Sequence, residues 1–345
     1  MAASELPFGL ATSVGPVPTD DVAQAVDVAL AAHPGFPTVP VLRTPTRSLV
    51  AQAVSGIAGI SVAPPGLLRI DDPDSVVPDD VDGAGTDLTG PEFEATHEFL
   101  ARLSTTAGPV DRPTRVGVLG PVTLTLSLVA AGLPIPMASK LAVALTTRRA
   151  VALLEAVRAA TPRGVIVVVL SEPGLIGGMH PTFPLSPMET RALLDPVIDA
   201  LDLAPSAAGG LLIGIHVPGR ADWETIISSG VSMISAPADS GLVGWSELVG
   251  YLLDRGGWIC WGAVPVDQPL GTSEEMLWRR LSGVWCDLAA AGVDPIQLRM
   301  QSMVSPADGL GHFGLSQAER VLGLVETLST RVQRQTVGAR LTVGA

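Results

Sequence analysis

The sequence predicts a single-domain (β/α)₈ barrel with an N-terminal extension. Three observations carry that prediction. Short apolar, β-branched runs alternate with helix-patterned stretches through the second half of the chain: Gly164–Glu172, Leu211–His216, Val231–Ser235, Trp258–Asp267 and Ile296–Ser305. Strands that alternate with helices form a parallel sheet with helices on its outer faces. Each run ends in polar residues followed by glycine or proline, and 345 residues are enough for a barrel of ordinary size plus the extension.

In chain order, Phe8–Gly15 reads as the first strand, ending in the turn Gly15-Pro16-Val17-Pro18. Thr19 or Asp20 is placed to cap a helix through Ala32. Pro34–Pro45 reads as an extended loop, 45–58 as a helix and Gly59–Ile70 as the second strand. Asp71–Asp87 is an acidic insertion, a mobile segment or a functional loop. A helix over 91–106 leads to the third strand, Thr114–Leu119, and helical pattern then runs to Ala160 with a break at Pro134/Pro136. The remaining strands are expected at 164–170, 211–216, 231–235, 258–264 and 296–304, and a last helix over Leu315–Gln333.

Composition narrows the function. A net charge of −13, with Lys140 as the sole lysine, repels nucleic acid and anionic membranes. Mean hydropathy is high at +0.42. Buried parallel strands account for that, and no run of about 18 apolar residues predicts a membrane span. Met1–Phe8 has no signal-peptide pattern, and Cys260 and Cys286 form no CxxC pair. The expectation is a cytoplasmic protein that takes a small-molecule substrate or a protein partner. Cys260 reads as core, as do Trp258 and Trp261.

Five strand ends resemble cobalamin-independent methionine synthase, within the superfamily that also holds uroporphyrinogen decarboxylases. They are Gly15-Pro16-Val17-Pro18-Thr19, Gly120-Pro121-Val122-Thr123, Ser171-Glu172-Pro173, Ala263–Asp267 and Ser305–Gly311. They stand in the family's order across nearly the whole chain. The arginine-rich, alanine-, valine- and glycine-rich composition resembles short single-barrel members from high-GC bacteria. The resemblance implies the fold and, as activity, methyl transfer to a small thiol or related acceptor. In that family zinc binds the thiol and lowers its pKa. The resemblance places His216 at the histidine ligand, but Pro218, Pro237 (with Asp239 nearby) and Asp308 stand at the other ligand positions. The family's zinc-thiolate site is therefore not expected. Ser171 and Pro269 replace an acidic residue and the general-acid histidine.

The candidate catalytic residues are Glu172, His216, Asp267 and Asp308, because chemistry in such barrels sits where the strands end. Glu172 reads either as a proton acceptor or as an acid bonded to backbone N–H groups of the next turn. His216 reads as a ligand, an acid/base, or a histidine satisfied by its surroundings. Asp267 has a capping alternative. A hard N/O metal site using His216 and Asp308 is a minor alternative. Ser171, Asp239, Arg299 and Gln301 are the candidate substrate-binding residues. Arg299 and Gln301 share a strand face by the two-residue period, so Arg299 either clamps an anion or pairs with an internal acid. Two other functions compete with methyl transfer: a catalytically inactive barrel that serves as a binding or assembly subunit, and a decarboxylase-like reader of an anionic substrate through Arg299.

Overall fold

The computed structural model describes residues 6–71, 85–105, 111–204, 209–267 and 273–343. Most of the acidic stretch 71–87, and Pro269, lie outside these residues. Six strands form one curled parallel sheet in chain order: β3 (Thr114–Leu119), β4 (Ile166–Ser171), β5 (Leu211–His216), β6 (Met233–Pro237), β7 (Trp258–Val264) and β8 (Ser302–Pro306). The helices α4 (Pro121–Ala130), α5 (Ile135–Ala160), α6 (Pro187–Leu203), α7 (Trp223–Ser228), α8 (Ser246–Asp254), α9 (Glu274–Ala290), α10 (Pro295–Met300) and α11 (Leu315–Val343) follow or connect them. Ahead of the sheet come α1 (Val22–Ala32), α2 (Leu49–Val54), the hairpin strands β1 (Ile60–Ala63) and β2 (Leu67–Ile70), and α3 (Glu94–Thr105). Among the described residues no helix is long and apolar enough to cross a membrane.

The first predicted strand is extended chain without a ladder. Gly9 N–H donates to the Ser302 carbonyl (2.8 Å) and Val304 N–H to that of Leu10 (2.8 Å), so this segment lies beside β8. The second predicted strand, 59–70, is instead the β1–β2 hairpin, antiparallel and outside the sheet. Its Pro64-Pro65-Gly66 turn splits one apolar run in two, since proline cannot donate to a ladder. The place beside β3 is taken by the stretch expected to be a loop. Val39 N–H donates to the Arg115 carbonyl (2.8 Å) and Arg115 N–H to that of Pro37 (3.0 Å). These two segments fill the gap between β8 and β3 and touch through the Thr12 and Thr38 hydroxyls, 2.9 Å apart. Neither forms a full strand. Prolines at 16, 18, 37 and 40 remove donors, and Gly9 and Gly15 kink the chain with φ of 67° and 63°. The hydrogen-bonded sheet thus stops at six strands and does not close.

The predicted eighth strand begins too early. Asp294 accepts from the Ile296 N–H (2.7 Å) and Pro295 takes the first helical position, so 295–300 is the helix α10. The two-residue period therefore does not apply to Arg299 and Gln301.

Strand side chains alternate between two cores. Facing the helices, residues such as Val168, Ile213, Ile234 and Trp261 join the large outer core. Trp261 packs edge-on to Trp285 at 6.5 Å and donates its indole N–H to Ser302 Oγ at 2.9 Å. Facing inward, Val167, Val169, Leu212, Met233, Trp258, Cys260 and Met303 fill the barrel interior. By the same alternation Gly117, Ser171, His216, Ser235, Gly262 and Ser305 stand above that apolar layer. The interior is apolar below and small or polar at the strand ends.

Candidate functional site

Glu172 follows β4 and is fully buried. Its Oε1 accepts from the Val122 N–H at 2.9 Å, and its Oε2 from the Thr123 N–H at 2.7 Å and the Thr123 hydroxyl at 2.6 Å. These are donors in the first turn of α4, which a carboxylate both satisfies and stabilises. Gly120 makes room for it: a Cβ there would lie 2.2 Å from the Glu172 carboxyl. Burial pushes the carboxyl up to about 7, against the three hydrogen bonds that favour its charged form. Both oxygens are committed to these donors and the side chain has no exposed surface. The backbone N–H groups it accepts from belong to the turn after β3, not to the turn that follows its own strand.

His216 and Asp308 meet across the strand ends. His216 is buried at the end of β5, and its Nδ1 lies 3.0 Å from Ser235 Oγ on the neighbouring strand. Its Nε2 has no hydrogen-bond partner, and the nearest Asp308 oxygen is 3.7 Å away. That distance is too long for a hydrogen bond but close enough for strong coupling. Burial holds His216 below its ordinary pKa and the Arg115 charge adds to this, opposed by Asp308 and Ser235. Asp308 is half exposed. Burial works against its charge, but His216, the Gly309 N–H and His312 outweigh this and hold it below the usual carboxylate range. At neutral pH the pair is an uncharged imidazole beside a carboxylate.

A tight turn contact positions Asp308. Leu310 N–H donates to the Pro16 carbonyl at 2.8 Å. A Cβ at Gly309 would fall 2.3 Å from Pro16 Cδ, and one at Gly15 would fall 2.6 Å from Gly309 Cα. Two of the motifs read from the sequence therefore lock together.

Asp308 borders a pocket of about 810 Å³ beyond the ends of β5–β8. Asp239 and Asp267, both exposed, line it with Asp287 and with Arg220, Arg279 and Arg280. A second groove of about 630 Å³, lined by Met188, Arg191 and Asp222, lies between α6 and α7. Ser171 and His216 line a narrow cavity on the inner side of the sheet.

Arg299 and Gln301 are elsewhere. Arg299 donates to the Pro295 carbonyl within α10 (2.6 Å), and Gln301 donates to the carbonyls of Leu253 (2.8 Å) and Gly257 (2.6 Å). These contacts lie below the start of β7, at the opposite end from the pocket. Sequence reasoning missed Ser235, Arg115 and the pocket arginines. A charged residue inside the apolar run Thr114–Leu119 was the available signal for Arg115.

The residues at the zinc-ligand positions do not fit zinc. Pro218 and Pro237 offer no side-chain donor, and His216 with Asp308 supplies only two. Among the described residues no three His, Cys, Asp or Glu side chains gather closely enough to hold a metal ion.

No protein-family model and no curated protein matches the chain in sequence. Its fold is similar to that of a solved protein from Listeria monocytogenes provisionally described as a vitamin-B12-independent methionine synthase. The TM-score is 0.55 over 91% of this chain and 85% of that one, at 12% identity. That likeness shows the fold: a methionine-synthase-like, TIM-type α/β architecture.

Proposed function

We propose that this chain binds a small thiol amino acid, or a related acceptor, at the open half of the strand-end face and transfers a methyl group to it without a zinc-thiolate. The observation that carries this reading is the pairing of His216 Nε2, buried and unpartnered, with the half-exposed Asp308 at the edge of the 810 Å³ pocket. An uncharged imidazole accepts the proton that the acceptor's S–H releases as sulfur takes the methyl group, and Asp308 stabilises the imidazolium that forms. The S–H bond breaks and the S–CH₃ bond forms as the donor's N–CH₃ bond breaks; that bond's electron pair stays on the donor nitrogen, which ends protonated as the imidazolium returns its proton. Asp239 and Asp267, with Arg220, Arg279 and Arg280, give the pocket both signs of charge, which suits a zwitterion. Methyl transfer itself rests on the resemblance of the strand ends and of the fold.

The test is transfer of a labelled methyl group from a methylfolate to homocysteine. His216→Gln and Asp308→Asn are expected to cut the rate about 100-fold, the range of a lost acid/base group, with the fold intact. Transfer that neither substitution changes would overturn the reading. A second reading, a barrel kept for partner binding, is favoured by the commitment of Glu172 to the scaffold. No transfer by the wild-type protein, together with co-purification of a stoichiometric partner, would select it.

A further inference from the structure

A buried arginine sits inside the barrel, and among the described residues it has no counter-ion. Arg115 is the second residue of β3, buried at 3% exposure, and faces the interior among Val167, Cys260 and Met303. A guanidinium carries five N–H donors. Among the described residues the one hydrogen bond of this side chain is Nη1 to the Cys260 sulfur at 3.5 Å, a weak acceptor. Among the described residues no carboxylate pairs with it. A buried cation whose one partner among the described residues is a thiol is a costly arrangement that folding alone does not favour, since an apolar residue of similar size removes the penalty.

The space beside it is open. Arg115 lines the inner cavity with Gly117, Ser171, His216 and Thr38. Its volume of about 20 Å³ exceeds what one ordered water needs, by the measure in which about 10–15 Å³ suffices. Gly117 keeps it open: a Cβ there would meet a single atom, Leu49 Cδ1 at 4.0 Å. The Ser171 hydroxyl makes no hydrogen bond among the described residues and is a free donor on the wall. The other groups facing Arg115 and this cavity are His216, which carries no charge at neutral pH, and the Thr38 hydroxyl, already bonded to Thr12 and Ser13.

We infer that the barrel interior holds a small-anion site in which Arg115, with the Ser171 hydroxyl, binds a group the size of a carboxylate. A carboxylate is planar and accepts two parallel N–H bonds from a guanidinium, the geometry that a lone arginine leaves unfilled. The anion is either free or the head of the acceptor. Only its assignment to an acceptor rests on the function proposed above; the anion site itself does not. It also replaces the expected role of Arg299, because the arginine poised for an anion is on β3.

The test uses ¹³C-formate as the probe on the intact chain, with its line width read against protein concentration. Wild-type protein is expected to broaden the formate signal saturably. Arg115→Met is expected to weaken binding about tenfold or more, the range of a lost charge-assisted bidentate pair. Gly117→Val fills the cavity and leaves the arginine in place, so it is expected to abolish broadening as well. It keeps the inference open to refutation should Arg115→Met fail to fold. No broadening by wild-type protein, or equal broadening by both variants, would overturn the site. Homocysteine that displaces formate while its methyl ester does not identifies the acceptor's own carboxylate as the natural occupant. Formate that stays bound beside homocysteine identifies a free anion. Because the readout is binding, a failed methyl-transfer assay with intact formate binding removes the proposed reaction and leaves the site, and the reverse result removes the site alone.

Discussion

At the end of β4 a carboxylate is buried, saturated with hydrogen bonds and turned onto the neighbouring helix. At the end of β8 another stands half exposed, 3.7 Å from a histidine and on the rim of a pocket. Both residues occupy strand ends of the same face, and from sequence both carry the same expectation. Their difference lies in the donors that neighbouring turns bring to each strand end. Gly120-Pro121-Val122-Thr123 brings three donors within reach of Glu172, whereas Asp308 finds one backbone donor, the Gly309 N–H at 2.7 Å. The β3–β4 half of the face is closed by its own helix cap. The β5–β8 half leaves His216 Nε2 without a hydrogen-bond partner and Asp308 half exposed.

Substitutions at the two carboxylates sharpen that contrast, and the largest effect belongs to Glu172→Ala. It strands two buried N–H groups and leaves a void, and a loss of about 3–5 kcal/mol is expected from denaturant midpoints. Glu172→Gln keeps one acceptor and sets an amide N–H₂ against the other N–H donors, so roughly 1–3 kcal/mol is expected.

Glu172 also sets a pH dependence. Folded Glu172 holds its proton up to about 7, whereas its unfolded value is 4.5. Between those values the unfolded chain binds fewer protons, so the stability this group contributes is complete below pH 4.5 and is lost as pH rises through 7. The swing is on the order of 3 kcal/mol and is read as the difference between wild type and Glu172→Gln across that window. A wild-type curve that rises over the same window relative to the variant would contradict the assignment.

Asp308→Asn is expected to change stability by less than about 0.5 kcal/mol, as for other exposed sites. It removes a group that raises the His216 pKa, so the ring titration followed by NMR is expected to move further down. The smallest effect belongs to Arg299→Ala: within about 0.5 kcal/mol in stability, with ligand binding unchanged.

Much of this contrast is legible in the sequence, and the failures have local causes. Strand ends at Leu119, His216 and Val264 follow from apolar runs that stop at turn residues, and the five motifs point to the fold that the solved Listeria protein also has. The first two strands were misread because proline counts against a ladder but not against an extended segment beside one, which is how Pro37–Val39 reaches β3. Strand eight was placed too early because Asp294-Pro295, a helix start, was read inside an apolar run. Strand-end position singles out His216 and Asp308, which lie 3.7 Å apart, while Ser171, Asp239 and Asp267 line open space. Glu172 was ambiguous because its partners lie about fifty residues upstream, on another loop. Arg115 escapes the sequence pattern because a one-dimensional pattern shows a charge in a strand without showing which groups surround it.

The most direct measurement is calorimetric affinity for homocysteine in wild type, Glu172→Gln and Asp308→Asn, at a temperature where all three are folded. If the β5–β8 half is the working half, Glu172→Gln binds within about threefold of wild type and Asp308→Asn binds about tenfold or more weakly, the cost of one charge-assisted contact. Loss of binding in Glu172→Gln with Asp308→Asn unchanged would contradict the account and return the site to the strand end where Glu172 stands.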